Sequence, residues 1–206
     1  MNIKFRCVVG VFAAIVLGLG CKKETSSNSP SPGEFLNNNV GSTWDYSVTG
    51  SNNAEWKVSV EDSILIKNAK NFQLFKSNFV GSGAIARNYY RYANGNYSTL
   101  VKDADGINQE IVYLKDSTQS GKNWSKSIKG SGGVLQEYQY KVIETTTKSV
   151  SGVNYNRVVH VQLTIPNLGY TAEAYYAPKV GLIQLDENYA SSGSDYHTLL
   201  KSHNLK

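Results

Sequence analysis

The stretch YYRYANGNYSTLV, residues 89–101, is the strongest indication of the fold. Tyr89–Tyr92 and Tyr97–Val101 are rich in aromatic and β-branched residues, and the pair Asn94-Gly95 lies between them. An Asn-Gly pair lets both central residues of a two-residue turn adopt positive φ, which a type I′ β-hairpin requires. The stretch therefore predicts two antiparallel strands, and we expect their connection to be the tightest turn in the chain.

The same strand pattern continues on both sides of this hairpin. Runs that are rich in apolar residues, many of them alternating with polar ones, lie at residues 44–48, 56–60, 72–79, 111–113, 138–142, 158–165, 170–177, 181–186 and 196–200. Short turns separate them, and no convincing amphipathic helix lies between them. Because parallel strands need crossover connections, neighbouring strands should be antiparallel. The sequence predicts an all-β fold of about ten strands in a meander.

A long antiparallel sheet twists strongly, and it tends to curl or to close on itself. We therefore predict a highly curved sheet or partly open barrel, with one face packed and the other solvated. A two-sheet sandwich is the alternative. Residues 34–206 are predicted to form this single β-rich domain, which is long enough to bury a core of its own.

The N-terminus has the composition of a targeting segment. Lys4 and Arg6 precede the uncharged, mostly apolar run Cys7–Leu19, which is the layout of a secretory signal peptide. A spanning helix needs about 20 apolar residues, so a transmembrane anchor is the less favoured alternative. Residues 1–20 are predicted to be a cleaved signal peptide. Residues 21–33 are polar and rich in Ser, Pro and Gly, which predicts a flexible tether.

The segment Leu17-Gly18-Leu19-Gly20-Cys21 resembles the lipobox of bacterial lipoproteins. The resemblance implies that lipid is attached to Cys21, that the preceding peptide is removed, and that the protein is anchored in the outer membrane. Several acyl chains, at about 0.8 kcal/mol per buried methylene, give a stable anchor. Cys7 would leave with the signal peptide. With both cysteines used in this way, the mature chain has no disulfide, thiolate metal site or cysteine nucleophile.

Three segments of the body are similar to a group of strand-rich envelope lipoproteins of bacteria. They are Val40–Tyr46, Gly121–Trp124 and Tyr175–Ile183, and together they span most of the mature chain. The resemblance implies a cell-envelope location and a strand-rich fold. It implies no activity.

The chain contains no motif that indicates catalysis, a metal or another cofactor. No serine-nucleophile elbow, phosphate-binding loop or zinc-protease helix is present, and we predict that the protein is not an enzyme. His160 alternates with Val159 and Val161, so we interpret it as an ordinary solvated residue. The formal net charge is +5, but the basic residues are scattered, and with export this argues against a nucleic-acid partner.

Aromatic residues are the one compositional excess, with 14 Tyr, 3 Trp and 6 Phe. Tyrosine fits a half-buried sheet face, and most of these residues should serve that purpose. Tyr89, Tyr90, Tyr92 and Tyr97 crowd around one hairpin and could instead form an exposed stacking platform. Two functions follow: a non-catalytic envelope lipoprotein that binds an apolar ligand or a protein partner on its curved sheet, or a surface module that binds a glycan or peptide through exposed aromatics.

Overall fold

The computed structural model describes residues 31, 33–50, 55–116 and 119–206. The predicted signal peptide, Cys21 and nearly all of the predicted tether lie outside this part of the chain. Within it, no helix is long and apolar enough to cross a membrane. The helical elements among these described residues are two short 3-10 turns, Ser131–Gly133 and Pro166–Leu168.

Twelve β-strands are found in the described residues. They are β1 (Thr43–Thr49), β2 (Glu55–Lys67), β3 (Lys70–Val80), β4 (Ala84–Ala93), β5 (Asn96–Lys102), β6 (Asn108–Lys115), β7 (Asn123–Lys129), β8 (Leu135–Val150), β9 (Val153–Ile165), β10 (Tyr170–Ala177), β11 (Gly181–Tyr189) and β12 (Ser194–Asn204).

All twelve strands belong to one sheet with the order β6-β5-β4-β3-β2-β1-β12-β11-β10-β9-β8-β7. Consecutive strands pair antiparallel, except β6 and β7, and β1 pairs with β12. This nearly closed sheet confirms the predicted partly open barrel, whereas the alternative of a two-sheet sandwich is wrong. The expected count of about ten strands was low mainly because β7 is a mostly exposed edge strand whose pattern is weak: only Trp124 and Ile128 are apolar.

The hairpin at Asn94-Gly95 is a two-residue turn, as predicted. Asn94 has φ of 50° and Gly95 has φ of 74°, which are the signs of a type I′ turn. It shares its length with two other turns. The links β2–β3 and β8–β9 also have two residues with positive φ, 50° and 58° at Asn68-Ala69 and 50° and 81° at Ser151-Gly152.

The two halves of the chain, β1–β6 and β7–β12, begin in the same way. Gly41, before β1, has φ of +84° and donates its amide hydrogen to the carbonyl of Val60, 3.0 Å away. Gly121, before β7, has φ of +83° and donates to the carbonyl of Val142, 2.8 Å away. Both conformations favour glycine. The barrel is thus two similar six-strand meanders joined by the β1–β12 ladder.

The seam between β6 and β7 is closed without a strand ladder. The indole Nε1 of Trp124 donates to the carbonyl of Val112 on β6, at 2.7 Å. Nearer the other end of β7, the amide of Ala104 donates to the carbonyl of Lys129, at 2.8 Å, and the Lys129 ammonium lies 3.0 Å from Asp105. A few contacts at the two ends of β7 therefore hold β6 and β7 together, whereas a regular strand ladder joins β1 to β12.

Two clusters of buried side chains fill the barrel. The first contains Trp44, Tyr46, Val60, Phe75, Val150, Val158, Ala177, Val180, Ile183 and Leu200. The second contains Phe35, Tyr97, Ile111, Leu114, Ile128, Tyr140, Val142, Val159 and Val161. Each cluster contains three aromatic residues, and further, partly buried tyrosines pack against both clusters, which explains much of the tyrosine excess.

The segment that precedes β1 closes one end of the barrel. Phe35 is 1% exposed, and its amide donates to the hydroxyl of Tyr97 at 3.4 Å. The Glu34 carboxylate forms an ion pair with Arg157 at 2.9 Å, and the Glu34 carbonyl accepts from the amide of Lys179 at 2.5 Å. We call this the closed end; the end where β1 and β3 finish and β12 begins is the open end.

Gly33, which the sequence assigns to the tether, is part of this closed end. Its φ is +77°, and a Cβ built on it would lie 3.1 Å from the ring of Tyr92. A side chain there would be strained and would press on the aromatic ring. Gly33 therefore packs against the body, and the chain enters the body at the closed end.

Candidate functional site

An apolar cavity lies inside the barrel, next to the first core cluster. Its volume is about 240 Å³. Seventeen residues line it, and none of them carries a charged side chain. They are Phe35, Leu36, Asn37, Trp44, Tyr46, Trp56, Val58, Phe75, Ser77, Tyr90, Thr99, Tyr113, Tyr176, Val180, Gly181, Leu182 and Leu185.

Aromatic rings from five strands form a continuous wall of this cavity. The ring of Trp44 stacks on Phe75 at a centroid distance of 6.0 Å, and Phe75 meets Tyr90 edge-on at 4.8 Å. Tyr90 packs edge-on against Tyr113 at 5.7 Å, and Tyr113 lies 5.7 Å from Tyr176. Such contacts stabilise the rings beyond the area that they bury. The wall is therefore held in place without a ligand.

The hydroxyls of the interior tyrosines differ in their partners. Tyr46 donates to the carbonyl of Leu182 at 2.9 Å, which fixes its orientation. The hydroxyls of Tyr90, Tyr113 and Tyr176 have no hydrogen-bond partner among the described residues. Because these three residues line the cavity, their hydroxyls are free to bond a molecule inside it.

Electrostatics keep these phenols neutral. Burial raises the pKa of Tyr90 to about 12. Burial first, and repulsion from Tyr90 and other phenols second, also raise the pKa of Tyr113 and of Tyr176 well above the ordinary value. At neutral pH each remains an uncharged O–H group.

The cavity adjoins a wider groove at the open end. This groove has a volume of about 570 Å³ and shares Trp56 and Leu185 with the interior cavity. Trp56 stacks between Tyr46, at 4.9 Å, and Phe79, at 6.0 Å. The two spaces meet at this ring, so a molecule that enters from the open end would pass Trp56 and Leu185.

A carboxylate holds the opposite, closed end together. Asp116 accepts hydrogen bonds from the hydroxyls of Tyr92, at 2.5 Å, and Tyr97, at 2.6 Å. Its amide donates to the carbonyl of Gly95, at 2.9 Å, in the predicted hairpin. Tyr97 in turn packs edge-on against Phe35 at 6.0 Å. This network positions the segment that blocks the barrel at this end.

The four tyrosines predicted as a platform do not share an exposed face. Tyr97 is fully buried, and Tyr90 and Tyr92 face the interior. Tyr89 lies on the outer face, opposite Leu74 of β3. Only Tyr90 lines the cavity. A period of two places Tyr90, Tyr92 and Tyr97 on one side of the sheet correctly, but it cannot tell the inside from the outside when both faces accept tyrosine.

Several residues that line the cavity were not predicted as site residues, although the sequence contained a signal for some of them. Trp44 and Tyr176 belong to two of the segments that resemble envelope lipoproteins. The structure brings those two segments together: the indole of Trp44 donates to the carbonyl of Val180 at 2.9 Å. Both segments therefore contribute residues to the cavity wall.

A compact polar cluster surrounds His160 on the outer face. His160 Nε2 lies 2.6 Å from the Glu173 carboxylate, and the imidazole stacks on Tyr175 at 4.2 Å. With 12% of its side chain exposed, His160 is more enclosed than the solvated residue that we expected. Among the described residues, no group of three or more His, Cys, Asp or Glu side chains could hold a metal ion.

No protein-family model matches the chain, and no curated protein matches its sequence significantly. Two solved structures are similar. One is a Bacteroides fragilis protein described as a predicted exported protein with a YmcC-like fold, with a TM-score of 0.52 and 11% identity over 82% of this chain and 98% of its own. The other is a predicted lipoprotein of Parabacteroides distasonis, with a TM-score of 0.53 and 12% identity over 84% and 100%. At this identity the likeness shows the fold alone.

Proposed function

We propose that this protein is a non-catalytic cell-envelope lipoprotein, anchored in the outer membrane through lipid on Cys21, that binds a small apolar molecule inside its barrel. The observation that carries the proposal is the uncharged, aromatic cavity of about 240 Å³. Apolar concave sites with a few polar groups are typical of ligand binding.

The size of the cavity favours an occupant. Protein interiors are close-packed and contain few voids larger than a water molecule. The rings that line this space lack packing partners on their cavity side, and a ligand that fills it would supply the missing van der Waals contacts.

Two observations support the location. The lipobox-like segment ends at Cys21, and one structure of similar fold belongs to a protein described as a lipoprotein. Because Gly33 packs at the closed end, the tether would leave the barrel there. The closed end would then face the membrane, and the open end would face away from it.

A neutral fluorescent probe tests ligand binding directly. We expect N-phenylnaphthylamine to bind the purified body and to gain fluorescence. Val58→Phe, which adds volume to the cavity wall, should abolish this gain. Lys57→Phe, at the neighbouring exposed position of β2, should leave it unchanged. No gain in the parent protein, or equal loss in both variants, would contradict an interior binding site.

Lipidation is tested separately. Expression with the native signal should give a protein that begins at Cys21, carries acyl chains by intact mass and partitions into detergent. Cys21→Ser should release it in soluble form. A fully membrane-bound Cys21→Ser protein would rule out the lipid anchor without affecting the cavity.

A second candidate function is binding of a glycan or peptide in the groove at the open end. Phe79, Tyr189 and Tyr196 line that groove, together with the Glu187 carboxylate. Aromatic rings beside an acceptor can stack on a sugar or a peptide side chain. Protection of Tyr196 from surface labelling by an oligosaccharide, with no change in probe binding to the cavity, would favour this function.

A further inference from the structure

We propose that the molecule bound in the cavity is uncharged and carries a hydrogen-bond acceptor oxygen, such as a ketone or ester carbonyl, that is received by the hydroxyls of Tyr90, Tyr113 and Tyr176. This inference rests on the proposed function. It narrows the ligand from any apolar molecule to one chemical class.

The donors come from three separate strands and face one space. Tyr90 lies on β4, Tyr113 on β6 and Tyr176 on β10. The ring of Tyr113 is 5.7 Å from both of the others, and none of the three hydroxyls has a partner among the described residues. A carbonyl oxygen has two lone pairs and can accept from two of these hydroxyls at once. A hydrocarbon ligand would leave them without a hydrogen-bond partner in apolar surroundings.

The β-bulge on β6 explains how Tyr113 reaches this position. Tyr97 and Ser98 of β5 are opposite Leu114 and Val112, so Tyr113 is the extra residue between them. A bulge changes the direction of the side chains next to it. Here it allows Tyr113 to face the cavity while the adjacent Leu114 is fully buried in the second core cluster.

The lining excludes a charged ligand. None of the residues that surround the cavity is Lys, Arg, His, Asp or Glu, so a carboxylate or phosphate would be buried without a counter-ion, which is strongly unfavourable. Aromatic rings can bind a quaternary ammonium group. Such a cation, however, would make no use of the three O–H donors.

Four probes with the same phenyl ring separate these possibilities: acetophenone, ethylbenzene, benzoate and phenyltrimethylammonium. We expect acetophenone to bind about 3- to 10-fold more tightly than ethylbenzene by calorimetry, the effect of one net hydrogen bond. Benzoate and phenyltrimethylammonium should bind at least 10-fold more weakly than acetophenone.

Tyr90→Phe should reduce the preference for acetophenone over ethylbenzene, because one of the three donors is lost, and leave ethylbenzene binding unchanged. Tyr89→Phe, at the next residue but on the outer face, is the matched control and should preserve the difference. Tyr113→Phe and Tyr176→Phe repeat the test if Tyr90→Phe does not fold.

The outcomes distinguish the two proposals. If none of the four probes binds, the proposed function itself is wrong. If acetophenone and ethylbenzene bind equally, or if benzoate or phenyltrimethylammonium binds as tightly as acetophenone, the cavity is a ligand site but its assigned chemistry is wrong. A preference for acetophenone that is undiminished in Tyr90→Phe, Tyr113→Phe and Tyr176→Phe alike would also overturn the assignment of the donors.

Discussion

Alkaline pH is expected to unfold this protein because its interior tyrosines ionise more easily in the unfolded chain. Burial raises the pKa of Tyr90 from 10.0 to about 12. Between these values the unfolded chain has lost the phenol proton and the folded protein keeps it. The unfolded state then binds fewer protons, so the free energy of unfolding falls as the pH rises.

The magnitude follows from the size of the shift. One pKa unit corresponds to about 1.36 kcal/mol, so Tyr90 alone should remove about 1.4 kcal/mol of stability by pH 11 and about 2.7 kcal/mol well above pH 12. Burial also raises the pKa of Tyr46, Tyr113 and Tyr176, and these groups add to the loss. The stability should be unaffected by these tyrosines below about pH 9.

Urea unfolding at several pH values, followed by circular dichroism, measures this dependence, and phenolate absorbance reports ionisation. Tyr90→Phe should lose about 1.4 kcal/mol less than the parent between pH 9 and pH 11. The control is the comparison of the parent protein with Tyr90→Phe at pH 7, where Tyr90 is neutral in both the folded and the unfolded state. If the phenolate signal of the interior tyrosines rises near pH 10 while the sheet stays intact, the interior is open to solvent, and the reasoning for a buried apolar cavity fails.

Three further predictions concern stability. Ala69→Gly should stabilise the protein by about 1 kcal/mol in urea unfolding, because Ala69 has φ of 58° in the β2–β3 turn and a left-handed conformation is unfavourable for alanine; a loss of stability would contradict the turn geometry. Trp124→Phe removes the hydrogen bond to Val112 across the seam between β6 and β7 and should speed amide exchange in β6. Trp44→Phe removes the equivalent indole donor of the first half and should not change exchange in β6. Equal exchange rates in the two variants would contradict this prediction. Phe35→Ala should cost about 3–5 kcal/mol as a buried aromatic truncation, and a loss below about 1 kcal/mol would show that this segment does not close the barrel.

Local sequence signals predicted the strands except β7, and they predicted the tight turn at Asn94-Gly95. Asn94-Gly95 and Ser151-Gly152 contain the residues that tolerate positive φ. The turn at Asn68-Ala69 was missed because alanine is not a turn former, and only the pairing of β2 with β3 keeps it there. In that case tertiary structure overrides the local preference.

The cavity could not be predicted from the sequence for a different reason. Alternation assigns Tyr90 and Tyr92 to one face of a strand. The interior of this barrel is aromatic, however, so the sequence of an inward face cannot be told from that of a solvent-exposed face rich in tyrosine. The meeting of Tyr113 with Tyr176 depends on a bulge in β6 and on barrel closure. Both are properties of strand register, which no short segment of sequence encodes.

The ladder between the first and last strands also has a consequence for biogenesis. Thr43 of β1 is opposite Asn204 of β12, so an edge of β1 has no partner until nearly the whole chain has been made. Contacts between such distant residues form slowly, and an unpaired strand edge invites association with other chains. We expect newly made chains to need a chaperone that shields this edge. A chain that ends before β12 would not fold into a smaller barrel, because β12 lies between β1 and β11 in the sheet. Both β1 and β11 would then keep an unpaired edge.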